Sequence, residues 1–158
     1  PGNLRLKALY IPLGNRLYSV LSSSCLQCVR QMTHVIISKE FGKRYFDDVV
    51  YINFDNNERM KNVFDCDYDI SRIISALKIE HGKTFVAENT LLIFDEIQEV
   101  PKALTSLKYF CENAPEYAIV AAGSLLGVAM HQGTSFPVGK VDFLDLFPLN
   151  FFEFLLLP

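Results

Sequence analysis

Three strand-length runs in this chain are apolar almost from end to end: Val49 to Phe54, Thr90 to Phe94 and Tyr117 to Ala122. A strand with one wet face alternates polar and apolar residues. These runs do not alternate, so both of their faces must be covered. Between them lie segments with helical spacing. His34 to Phe46 carries Val35, Ile36, Phe41 and Phe46 against Lys39, Glu40, Lys43 and Arg44. Ile70, Ile73, Ile74 and Leu77 fall at i, i+3, i+4 and i+7 behind a capping Asp69. Ala103, Leu104, Leu107, Phe110 and Cys111 line one face of a helix opened by Pro101. Strands alternating with helices predict an α/β fold: a mostly parallel central sheet in a three-layer sandwich.

The remaining segments are less regular. Residues 1–33 hold short apolar pieces broken by Gly14, Asn15 and a serine run, with one strand expected but not placed. Residues 80–89 read as a polar loop, Val141 to Phe147 as a fifth strand, and 150–157 as the start of a helix.

With 158 residues the chain is the length of one domain and can bury a core without staples. Half of it is apolar and 21% is charged, which excludes intrinsic disorder. No run approaches the roughly 18 apolar residues of a membrane helix, so no membrane partner is expected. The net charge of −3 gives no sign of nucleic-acid binding. Residues 1–54 carry seven Lys/Arg and three Asp/Glu, whereas residues 55–158 carry eight and fifteen. This asymmetry suits either a solvated surface or a basic N-terminal part that meets an anion. Cys25, Cys28, Cys66 and Cys111 without a signal-like start read as reduced cytoplasmic thiols. The first residue, Pro1, is what a fragment or a processed chain would show.

In parallel sheets ligands bind at the carboxyl ends of the strands. Asp55, Asp95-Glu96 and Gly123-Ser124 all stand there. The sharpest signal is Leu91-Leu92-Ile93-Phe94-Asp95-Glu96, a buried strand that delivers two adjacent carboxylates to the sheet edge. Such a pair is costly unless it holds a cation or activates a water.

The surroundings of that pair carry a resemblance. Residues 91–101 read LLIFDEIQEVP, a second strand ends in AAGSLLG at 121–127, and residues 136–155 read FPVGKVDFLDLFPLNFFEFL. Together, over about Arg30 to Leu155, these strings resemble a prokaryotic family of AAA-type ATPases with the P-loop NTPase fold. The resemblance implies ATP and Mg²⁺ as cofactors, with nucleotide as partner. It implies that Asp95 holds the metal in the Walker B role, that Glu96 is the catalytic base, and that Ser124 is a polar sensor near the γ-phosphate. It divides the chain into a poorly matching segment, 1–33, and an ATPase core, 34–158. Members of the family continue into a further domain, so 34–158 is expected to stop short of one.

The family also carries G-x-x-x-x-G-K-[ST] before its first helix. The glycines free backbone N–H groups to cradle phosphate, the lysine reaches the β/γ-phosphates, and the hydroxyl binds Mg²⁺. Arg30-Gln31 and Lys39-Glu40-Phe41-Gly42 fix the register here. The two glycines then fall on Cys28 and Thr33, the lysine on His34 and the Ser/Thr on Val35. Thr33, His34 and Val35 are thus cofactor-binding positions with substituted residues, and ATP binding is expected to be impaired. The alternative is a remnant or interaction module that keeps the fold without binding nucleotide.

Gly82-Lys83-Thr84 imitates the end of a phosphate loop, but the position of its first glycine is Leu77 and no strand precedes it. Gly42-Lys43 and Gly139-Lys140 lack the following Ser/Thr. Cys25-Leu26-Gln27-Cys28 has too few neighbouring ligands for a structural zinc site, and coincidence is the simpler account. Phe143 to Leu157 holds eleven apolar residues. They form either a last core strand and helix or a surface for self-association or for the further domain, with Phe152, Phe154, Leu155 and Leu156 partly exposed.

Overall fold

The computed structural model describes residues 6–11, 33–123 and 142–146. Five strands form one sheet: β1 (Leu6–Ile11), β2 (Asp48–Asn53), β3 (Thr90–Asp95), β4 (Ala118–Gly123) and β5 (Asp142–Leu146), in the order β2-β3-β4-β1-β5. Strands β2, β3 and β4 are parallel, with Val50 opposite Leu92 and Leu92 opposite Ile119. β1 is antiparallel to both of its neighbours, so β5 runs with the central three. The α/β fold with a mostly parallel sheet is therefore present.

The strand expected within 1–33 is β1, and its direction is the surprise. In the family's arrangement a strand would lead straight into the phosphate loop at the carboxyl edge. Here Lys7 lies opposite Gly123, at the end of β4, and Ile11 lies opposite Ile119 near its start. The chain therefore leaves β1 at the amino edge.

Among the described residues four α-helices accompany the sheet: α1 (Thr33–Tyr45), α2 (Glu58–Cys66), α3 (Ile70–His81) and α4 (Pro101–Asn113). One face of the sheet packs under α2, α3 and α4. There Val50, Ile52, Phe54, Leu92, Phe94, Ile119 and Ala121 meet Met60, Phe64, Ile73, Leu77, Leu104 and Phe110. Phe94 stands edge-on to Phe54 and Phe64, at 5.9 and 5.4 Å between centroids. On the other face Leu91, Ile93, Ala118 and Val120 pack with Phe41 of α1. Strand residues alternate between these two clusters, as the pleat requires.

Local chemistry sets the helix ends. Asn57 Oδ1 accepts from Met60 N to start α2, and Asp69 Oδ1 accepts from Ser71 N to start α3. Pro101 opens α4. Gly82 stops α3 at φ 77°, with its N–H shared between the carbonyls of Lys78 and Ile79. The loop expected over 80–89 therefore begins only after His81. The GKT string at 82–84 is a helix stop followed by a lysine that pairs with Asp48. α2 was absent from the sequence-based expectation, although Asn57 and the Met60, Val63, Phe64 spacing mark it.

Candidate functional site

Asp95 is the last residue of β3 and is 4% exposed. Strand alternation places it on the face of Leu91 and Ile93, the face that carries α1. Its Oδ2 accepts the Tyr51 hydroxyl at 2.8 Å and the Asn53 side-chain amide at 3.1 Å. Its Oδ1 accepts the Glu96 backbone N–H at 3.1 Å. Asn53 is itself anchored, because its Oδ1 accepts from Asp55 N at 2.8 Å. A carboxylate is a tolerable buried group when donors surround it in this way.

Glu96 follows in the left-handed region, at φ 51° and ψ 41°. A non-glycine residue there costs about 1–2 kcal/mol. Such an outlier persists where the surroundings over-determine it. Here Ile97 is fully buried against the core and a 3-10 turn over Ile97–Glu99 leads into α4, so the chain must turn sharply after Asp95. The Gln98 Nε2 donates to Glu96 Oε2 at 2.5 Å. The Gln98 Oε1 is buried with no partner among the described residues.

The direction of α1 follows from its contacts. A Cβ on Gly42 would come within 2.5 Å of Val49 Cγ2 and 3.1 Å of Leu91 Cδ2, near the starts of β2 and β3. One turn earlier, Lys39 Nζ lies 3.4 Å above the centre of the Tyr51 ring. Going back toward Thr33 therefore climbs toward the carboxyl edge. From Gly42 to Val35 the climb is about 10 Å at 1.5 Å per residue, the height of about three strand residues. The N-terminal end of α1 thus rises on the same face and toward the same edge as Asp95.

Burial pushes the Tyr51 phenol up to about 12, foremost of the causes; the Asn53 hydrogen bond opposes this, and the hydrogen bond to Asp95 adds to it. At neutral pH Tyr51 is a donor and never an anion.

Of the residues picked from the sequence, Asp95 and Glu96 stand side by side at the carboxyl edge. Thr33 and His34 open α1, and Val35 in its first turn is buried. Ser124 lies outside the described residues, directly after Gly123, which ends β4. Cys28, the CxxC pair and the tail from 147 onward also lie outside them. Tyr51, Asn53 and Gln98 went unnoticed in the sequence. Their signal was Tyr51 and Asn53 at alternate positions of an otherwise apolar strand, both on the face of Asp95.

Comparison with known proteins decides the family. A model of an AAA domain matches residues 25–155, most of the chain. The chain belongs to this AAA domain family. No curated protein and no solved structure matches it. In this AAA domain the acidic pair and the start of α1 share the carboxyl edge of the sheet. Among the described residues no three His, Cys, Asp or Glu side chains group to form a metal cage. No helix among them is long and apolar enough to cross a membrane.

Proposed function

We propose that this AAA domain is built around a Mg²⁺–ATP site at the carboxyl edge of its sheet, with nucleotide affinity weakened by the residues at 28 and 33–35. The observation that carries this is Asp95: a buried carboxylate, held by three donors, at the end of a central strand on the α1 face. Mg²⁺ takes one or two carboxylates and completes its shell with phosphate oxygens and water, so one well-held aspartate fits it and a cage is not needed. Bound Mg²⁺ would polarise the terminal phosphoryl group and neutralise charge on it.

The chain's own residues divide the work. Asp95 would take the metal. Glu96, half-buried beside it, would accept a proton from an attacking water. The phosphate side is where the fit fails. Thr33 cannot take a glycine's positive φ cheaply, His34 is shorter than lysine and lacks its flexible ammonium, and Val35 has no hydroxyl to offer the metal. Two lost charge-assisted hydrogen bonds at about 1.5–3 kcal/mol each lower affinity by about two to four powers of ten.

Calorimetry with ATP and Mg²⁺ tests this. The unchanged chain should bind weakly or undetectably. The fourfold variant Cys28→Gly, Thr33→Gly, His34→Lys, Val35→Thr should bind. Micromolar affinity in the unchanged chain would refute the impairment. A folded fourfold variant that binds nothing would refute the nucleotide site and favour an interaction module that keeps the fold. The substituted, buried Val35 is the observation on that side.

A further inference from the structure

Tyr51 is opposite Ile93 in the register of β2 and β3, and Asp95 lies two residues further along β3. Diagonal neighbours on one face of a sheet are about 7–8 Å apart, within reach of a long aromatic side chain. The Tyr51 phenol crosses that gap and donates to Oδ2 at 2.8 Å, while Asn53 donates to the same oxygen at 3.1 Å. The Asn53 amide also approaches the phenol oxygen, at 3.4 Å, so the three groups form a closed triangle. Two donors on one oxygen restrict rotation of the carboxylate about its terminal bond, a torsion that is otherwise soft. The ring in turn is covered by the Lys39 ammonium from α1, at 3.4 Å from its centre. Lys39 therefore holds the phenol against the sheet by a cation–π contact.

We infer that Tyr51 is a positioning residue for Asp95: its hydroxyl fixes the plane of the carboxylate, so that a divalent cation arriving at this edge meets one orientation. This rests on Asp95 being the metal-holding group. The ring makes the Lys39 contact and the packing against α1, whereas the hydroxyl serves Asp95, both by satisfying a buried oxygen and by fixing its plane, and only the second would change metal affinity. The hydroxyl is what the positioning role requires. A phenol suits the task because it stays an uncharged donor at neutral pH. It steadies the carboxylate without neutralising the charge that attracts the cation.

The test uses the metal alone and no nucleotide. The chain has seven tyrosines and no tryptophan, so tyrosine emission can be read directly. Mn²⁺ binding is followed by the electron paramagnetic resonance of the free ion, and Mg²⁺ is titrated with tyrosine emission as the signal. In the unchanged chain both ions should register at millimolar concentration, with water completing the shell in place of phosphate, and Mg²⁺ should alter the emission. Tyr51→Phe keeps the ring and should melt within a few degrees of the parent. It should weaken Mn²⁺ binding roughly three- to tenfold and abolish the Mg²⁺-dependent emission change. Asp95→Asn should abolish both signals. Equal Mn²⁺ affinity in Tyr51→Phe and parent, with Asp95→Asn still defective, overturns the positioning role and leaves the metal site standing. Absence of Mn²⁺ binding in the folded parent overturns the metal site and the positioning role with it.

Discussion

The carboxyl edge of the sheet has two halves of different quality. On the β2–β3 side, Asp95 has defined partners and a short path to the core. Asp95 is held by Tyr51, Asn53 and its own neighbour, and Phe94 behind it is locked among Phe54, Phe64 and Phe110. On the α1 side, the helix rises to the same edge, but its first residues are Thr33, His34 and Val35 where phosphate chemistry wants glycine, lysine and a hydroxyl. On the proposed reading the phosphate grip is lost while the acidic pair is kept, because different forces maintain the two. Packing sets the first turn of α1 whatever side chains it carries. Asp95 persists because removing it would strand the Tyr51 hydroxyl, the Asn53 amide and the Glu96 N–H.

That contrast can be broken from either side. The largest effect should come from rebuilding the weaker half. The fourfold variant should gain two to four powers of ten in ATP affinity, about 1.4 kcal/mol per tenfold. Adding Asp95→Asn should remove the Mg²⁺-dependent part of the gain in the same calorimeter. Next is the scaffold of the stronger half. Phe94→Ala removes a fully buried ring that touches three others and should cost about 3–5 kcal/mol in urea unfolding. Asp95→Ala should cost about 1–3 kcal/mol in the same assay, since the Tyr51 hydroxyl and Asn53 amide lose their acceptor. Glu96→Gly should go the other way. Relief of the left-handed backbone should raise stability by about 1 kcal/mol, while any hydrolysis by the fourfold variant disappears.

The smallest effect is a pH dependence. Tyr51 has its proton affinity raised in the folded state, so the stability it contributes is complete below the ordinary tyrosine value. It is lost as pH rises from about 10 through about 12. Unfolding midpoints between pH 9 and 11 should fall more steeply in the parent than in Tyr51→Phe. Parallel slopes would show that the phenol does not sense its surroundings as described.

Much of the scaffold was legible because burial leaves a mark in one dimension. Leu91 to Phe94 can only be a strand covered on both faces, and Ile70, Ile73, Ile74 and Leu77 can only be one side of a helix. The direction of β1 was not legible, since a mostly apolar hexamer such as Leu6–Ile11 reads the same in either sense. Only pairing with Gly123 and Ile119, more than a hundred residues away, sets it. α2 escaped because its nine residues are mostly polar and just Met60 and Phe64 are fully buried. Asp95 was found from its place after an apolar run. Its holders were not, because Tyr51 and Asn53 belong to another strand and meet Asp95 through sheet register, which no local pattern records.

Gly42 gives the domain a mechanical property. The hydrogen of its α-carbon sits in a notch between Val49 and Leu91, and a methyl there would press 2.5 Å from a stiff, β-branched side chain. The first helix is thus pinned near its tail, at the amino edge, and held again at Lys39 over Tyr51. Between those two points it behaves as a lever with a fulcrum. A single added carbon at Gly42 would lift the tail and tip the head of the helix relative to Asp95. The spacing across the carboxyl edge is therefore gauged by a residue about 10 Å below it.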